Sequence, residues 1–87
     1  MTVNSRSRLP TVLVVDDELR SQEALRRTLE EDFEVLTASN AEQAQRIMEN
    51  EWVQIVVCDQ RMPGMTGVEF LKGLRTQWPD TLRIILS

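Results

Sequence analysis

The chain has no histidine, no tyrosine and a single cysteine, Cys58. Without histidine it cannot build a histidine-based nucleophile, a histidine metal site or a phosphohistidine of its own. One cysteine excludes an internal disulfide, and the place of Cys58 at the end of an apolar run predicts a buried, inert thiol. Any metal must therefore sit on oxygen ligands, which favours Mg2+, Mn2+ or Ca2+. Positive charge is also sparse, with ten Lys and Arg against fourteen Asp and Glu, a net −4. The basic residues are scattered, so this segment is expected to bind neither nucleic acid nor an anionic membrane. Arg26 and Arg27, the densest pair, are expected on the solvent side of a helix. No apolar run approaches the ~18 residues of a membrane span. Residues 1–10 lack the apolar core of a signal peptide, so a cytoplasmic location is expected.

Glycine and proline number three each, few enough to act as punctuation. Pro10 closes a polar, basic leader (residues 1–10) expected to be flexible, and Pro79 ends a helix. Pro63, Gly64 and Gly67 shape a loop. With 41% apolar and 28% charged side chains among 87 residues, the remainder, 11–87, reads as one small globular unit.

Thr11–Val15 is a continuous β-branched and leucine run suited to a central parallel strand, and it stops abruptly at Asp16-Asp17-Glu18. Acidic residues there can cap the next helix. Within Glu18–Glu30, the spacing of Ser21, Ala24, Leu25, Thr28 and Leu29 predicts a narrow core-facing stripe. A second strand is expected over Phe33–Thr37. Ser39-Asn40-Ala41-Glu42-Gln43 then offers two overlapping capping-box registers before a stripe of Ala41, Ala44, Ile47 and Met48. A third strand, Val53–Cys58, runs into Asp59. Thr66 and Glu69 form a further capping box ahead of Phe70, Leu71, Leu74 and Trp78, and Leu82–Leu86 is a fourth strand. Strands alternating with helices predict an α/β fold, a doubly wound parallel sheet with helices on both faces. Functional groups in such sheets gather at the carboxyl ends of the strands, where Asp16, Asp17, Asp59 and Ser87 all stand.

Two adjacent carboxylates after one strand and a third after another are what a hard divalent cation needs. Without a cation the cluster is costly, because like charges raise one another's pKa. With one, Asp59 could attack phosphorus and carry an aspartyl phosphate. Taken singly, each Asp could equally be a cap or turn residue.

Three segments resemble the receiver domains of two-component response regulators over Thr11–Ser87: Val14-Val15-Asp16-Asp17-Glu18, Asp59-Gln60-Arg61-Met62-Pro63-Gly64-Met65-Thr66-Gly67, and the terminal Ser87. The resemblance implies a flavodoxin-like sheet with first strand between second and third. It makes Asp59 the phosphoacceptor, Asp17 a direct ligand of Mg2+ or Mn2+, Asp16 a ligand through water and the Arg61 backbone carbonyl the remaining protein ligand. Ser87 becomes the switch hydroxyl, while Pro63 and Gly67 shape the loop. The phosphoryl donor is then a sensor histidine kinase, and the response is a change around the fourth strand that biases an effector domain or a dimer. The Gln60-Arg61 pair resembles receivers of nitrogen-regulation-type transcription activators.

Two features depart from the family pattern. Arg61 places a long cation beside the acceptor, from which altered autodephosphorylation is expected. The family's fourth helix, lysine-bearing fifth strand and fifth helix are not in these 87 residues, so the chain is expected to be a partial receiver with no catalytic lysine and impaired phosphorylation. The fourth strand should then be an open edge and one face of the first and third strands uncovered, which predicts a homo-oligomer through the fourth-strand side. At most the chain would phosphorylate itself; it is not expected to be an enzyme in the ordinary sense. The alternative function is a pure interaction module, a pseudo-receiver whose acidic site never turns over. A phosphohydrolase is disfavoured because it would want an Asp-x-Asp after the first strand, and here the acids are adjacent.

Overall fold

A computed structural model describes residues 9–60 and 66–86. Four strands and three helices alternate: β1 (Thr11–Val15), α1 (Leu19–Leu29), β2 (Glu34–Ala38), α2 (Ala41–Asn50), β3 (Ile55–Asp59), α3 (Gly67–Gln77) and β4 (Leu82–Leu86). The strands form one parallel sheet in the order β2-β1-β3-β4. β1 is central because its apolar run tolerates burial on both faces, and Val12, Leu13, Val14 and Val15 are at most 2% exposed. β2 is an edge strand, and its mixed sequence Glu-Val-Leu-Thr-Ala suits partial burial.

Leu13 pairs with Val56 and Val15 with Cys58, and these four pack with Ala44 and Met48 of α2 and Phe70, Leu71 and Leu74 of α3. Val12 and Val14 point to the other face, where α1 lies over β1 and β2. Two ends of the chain's connections are tied by side chains. Thr11 N donates to Gln54 Oε1, and the buried Thr81 hydroxyl donates to the Val53 carbonyl.

Capping follows the sequence closely in two helices. Asn40 is the N-cap of α2 and accepts from Gln43 N, so the second of the two registers is used; Gln43 Oε1 in turn accepts from Ser39 N. Thr66 and Glu69 form the reciprocal box of α3.

Several expectations are corrected. β2 and β3 each reach one residue further than expected, and β3 starts two residues later, because sheet pairing rather than apolar content sets the ends. The N-cap of α1 is Glu18, without a side-chain cap bond; Asp16 Oδ1 instead accepts from Glu18 N in a local turn. Ala24 and Thr28 are exposed, and the inward stripe is Gln22, Leu25 and Leu29. Neither β1 nor β3 is uncovered, since Val14 is 0% and Val57 only 8% exposed. The open apolar row falls on β4 instead. Its register puts Leu82, Ile84 and Leu86 on the α1 face, beyond the reach of that helix, and they are 57%, 38% and 40% exposed. Arg26 and Arg27 turn to Glu23 and Glu30 on their own helix.

Candidate functional site

β1 and β3 are parallel neighbours in register, Val15 beside Cys58, so the residues that follow leave the sheet side by side. Asp16, Asp17 and Asp59 consequently gather at one rim, with one carboxylate oxygen of each within 4.8 Å of the others. The sheet reverses its winding direction between β1 and β3, which opens a crevice at their carboxyl ends.

The three acids differ in setting. Asp16 is buried, Asp17 exposed and Asp59 intermediate. Burial is the main reason the Asp16 carboxyl is held above its ordinary value of 3.8; the Glu18 N–H pulls it down, and the charges of Asp59, Asp17 and Glu18 push it up. A cluster of this kind fits a divalent cation, whose charge would offset both the burial and the repulsion. Beneath it, Cys58 is 0% exposed and burial pushes its thiol up to about 12, aided by Asp59 and Asp16. Its burial is as expected from the sequence, and a thiol held protonated is a poor nucleophile.

The start of α3 presses against the same strand end. Gly67 N donates to the Gln60 carbonyl, and Gln60 N to the Leu86 carbonyl, joining β3, α3 and β4 around Asp59. A Cβ on Gly67 would lie 2.7 Å from the Asp59 carbonyl oxygen and 3.1 Å from Gln60 Cα. Glycine is needed here for close backbone approach. Arg61, Pro63 and Ser87 lie outside the described residues.

Sequence reasoning missed Gln22. Its amide is buried under the rim and donates to the Asp16 carbonyl. The available signal was its spacing: Gln22, Leu25 and Leu29 make a helical stripe with a polar residue where an apolar one belongs. The cleft lined by Trp52, Trp78 and Thr81 opens at the opposite pole of the sheet, away from the carboxylates.

No helix among the described residues is long and apolar enough to cross a membrane. In comparison with known proteins, the family described as the response regulator receiver domain matches residues 12–87. The hydrogenase transcriptional regulatory protein HoxA of Cupriavidus necator is 60% identical over 77 residues, which is 88% of this chain and 16% of that protein. HoxA of Bradyrhizobium diazoefficiens shows the same identity and coverage. The chain thus spans about one sixth of the length of these curated relatives. Among solved structures, the Thermotoga maritima response regulator TrrA, in complex with Mg2+ and BeF, superimposes with a TM-score of 0.83 at 35% identity, over 88% of this chain and 68% of that one. Matched along nearly all of its folded length, and carrying its carboxylates at the ends of β1 and β3, the chain belongs to the response regulator receiver domain family.

Proposed function

We propose that Asp59 accepts a phosphoryl group from the phosphohistidine of a sensor kinase, with Mg2+ or Mn2+ held by Asp16, Asp17 and Asp59. The observation that carries this reading is the convergence of three carboxylates from two strand ends within 4.8 Å. Asp59 Oδ attacks phosphorus in line, the phosphorus–nitrogen bond to the kinase imidazole breaks, and its electron pair returns to the ring nitrogen. The product is an aspartyl phosphate and a neutral histidine on the kinase. When bound, the cation neutralises the charge of the phosphoryl oxygens. By the family pattern Asp17 would hold it directly and Asp16 through water, and the Arg61 backbone carbonyl would complete the protein ligands. Ser87 donates to the phosphoryl group, and Pro63 with Gly67 shapes the loop. Gly67 keeps the α3 N-terminus close to Asp59, and the buried thiol of Cys58 stays out of the chemistry.

On this reading the chain is the phosphoacceptor module of a cytoplasmic transcription regulator akin to HoxA, with an effector domain as its target. The apolar row on β4 is the surface that a second copy would pair along; a monomeric mass by light scattering at working concentration would exclude that pairing. The function itself is tested by 19F NMR of beryllofluoride with Mg2+. A bound signal in the unmodified chain, absent in Asp59→Asn and absent without Mg2+, is the expected outcome. A folded chain giving no bound signal would refute the reading.

A further inference from the structure

Gln22 is the one buried residue of α1, 6% exposed, on a helix whose packing face would ordinarily hold a leucine there. Its Nε2 donates to the Asp16 carbonyl at 2.5 Å, to Ser39 Oγ at 3.0 Å and to the Ala38 carbonyl at 3.2 Å. Those oxygens are two backbone carbonyls and one side-chain hydroxyl, and they lie on two segments: the turn after β1, and the adjacent residues Ala38 and Ser39 between the end of β2 and the N-cap of α2. The Ala38 carbonyl also accepts from Asp16 N at 3.0 Å. Asp16 is thus held at its N–H by β2 and at its C=O by α1.

The Asp16 carbonyl belongs to the peptide joining the two adjacent acids. Rotation of that peptide plane re-aims Asp17, and the mutual repulsion of the three carboxylates favours such a rotation. A leucine at position 22 would fill the space but leave the plane without its donor.

We propose that Gln22 is a positioning residue that fixes the Asp16–Asp17 peptide plane, keeps both carboxylates converged on Asp59, and thereby sets the affinity of the site for a divalent cation. This rests on the reading that the site binds such a cation. Groups that orient metal ligands from behind typically contribute about 10- to 100-fold in affinity.

The test uses Mn2+ binding followed by electron paramagnetic resonance, for the unmodified chain, Asp59→Asn, Gln22→Met and Leu25→Ala, each under conditions where circular dichroism shows it folded. Methionine keeps the length of glutamine and removes the donors. Leu25 is partly buried on the same helix face and reports a purely structural loss. The expected result is Mn2+ affinity weakened about tenfold or more in Gln22→Met and unchanged within about twofold in Leu25→Ala. Equal affinity in Gln22→Met and the unmodified chain, or equal loss in both helix variants, would overturn the inference while leaving the metal reading intact. An unmodified chain that binds no Mn2+, or binds it as well after Asp59→Asn, would overturn both. Independently of how Gln22→Met folds, the Gln22 side-chain NH2 signals of the unmodified chain should shift with Mg2+ at the same midpoint as the Asp17 amide. Signals that stay put while Asp17 moves would also overturn it.

Discussion

Two glycines on one helix should respond in opposite directions to the same substitution. Adding a Cβ at Gly67 brings it to 2.7 Å from the Asp59 carbonyl oxygen and 3.1 Å from Gln60 Cα, whereas a Cβ at Gly73 meets nothing within 4 Å. Both close atoms at Gly67 are backbone, so relief requires α3 or the end of β3 to move. Overpacking of this kind costs about 1–3 kcal/mol, and the gain in helix propensity on replacing glycine offsets at most about 1 kcal/mol of it. Gly67→Ala should therefore be less stable, by about 1.5 kcal/mol at the middle of a range that reaches about 3. Gly73 is exposed in the interior of α3, and Gly73→Ala should be about 0.5–1 kcal/mol more stable. For a domain of this size each kcal/mol moves Tm by about 4–8 °C, so the two variants should separate clearly. Urea unfolding followed by tryptophan fluorescence measures the difference, because Trp78 packs on the core while Trp52 is 85% exposed. A Gly67→Ala chain as stable as the unmodified one, or a shift of the same sign in both variants, would show that the close approach of α3 to Asp59 has been misread. Gly67→Ala should also weaken beryllofluoride binding, since any relief of the clash displaces the Asp59 backbone.

Asp16 should make stability fall as pH rises. Its folded pKa lies above the unfolded 3.8, so the native state holds the proton more tightly. Its contribution is complete below that value and is lost as pH rises through the raised folded pKa. Asp16→Asn keeps the Oδ1 acceptor for Glu18 N and removes the charge; its stability advantage over the unmodified chain should grow from pH 3.5 to neutrality and shrink when Mg2+ is added. Thermal melts across pH showing a constant gap would contradict this. Cys58, with its thiol pushed up to about 12 and 0% of its surface exposed, should resist thiol reagents at pH 8 until urea opens the fold. Rapid labelling of the native chain would place the thiol elsewhere than under the rim.

The local chemistry of the chain was legible because it depends on neighbours in sequence. The β1 run, the Asn40 and Thr66 caps and the halt at Asp16-Asp17 each follow from residues within a few positions of one another. The three acids were also legible as candidates, since alternating strands and helices oblige parallel strands to end on one rim. The inward stripe of α1 was legible at Leu25 and Leu29 and misread at Ala24 and Thr28. Periodicity favoured the small residues Ala24 and Thr28, but the helix lies over β1 and β2 with Gln22 underneath, where the carbonyls of Asp16 and Ala38 need a donor more than the core needs a methyl group.

Sequence alone thus determined the alternation of elements, the burial of the Cys58 thiol and which acids stand at the strand ends, because each rests on residue type and local spacing. Tertiary structure decided what depends on contacts across distant segments. It brought Asp16 and Asp17 to Asp59 across 43 or 42 residues of chain, placed Gln22 behind them and pressed Gly67 against the Asp59 carbonyl. These follow from sheet order and register, which emerge only when strands far apart in sequence pair and the helices pack across them.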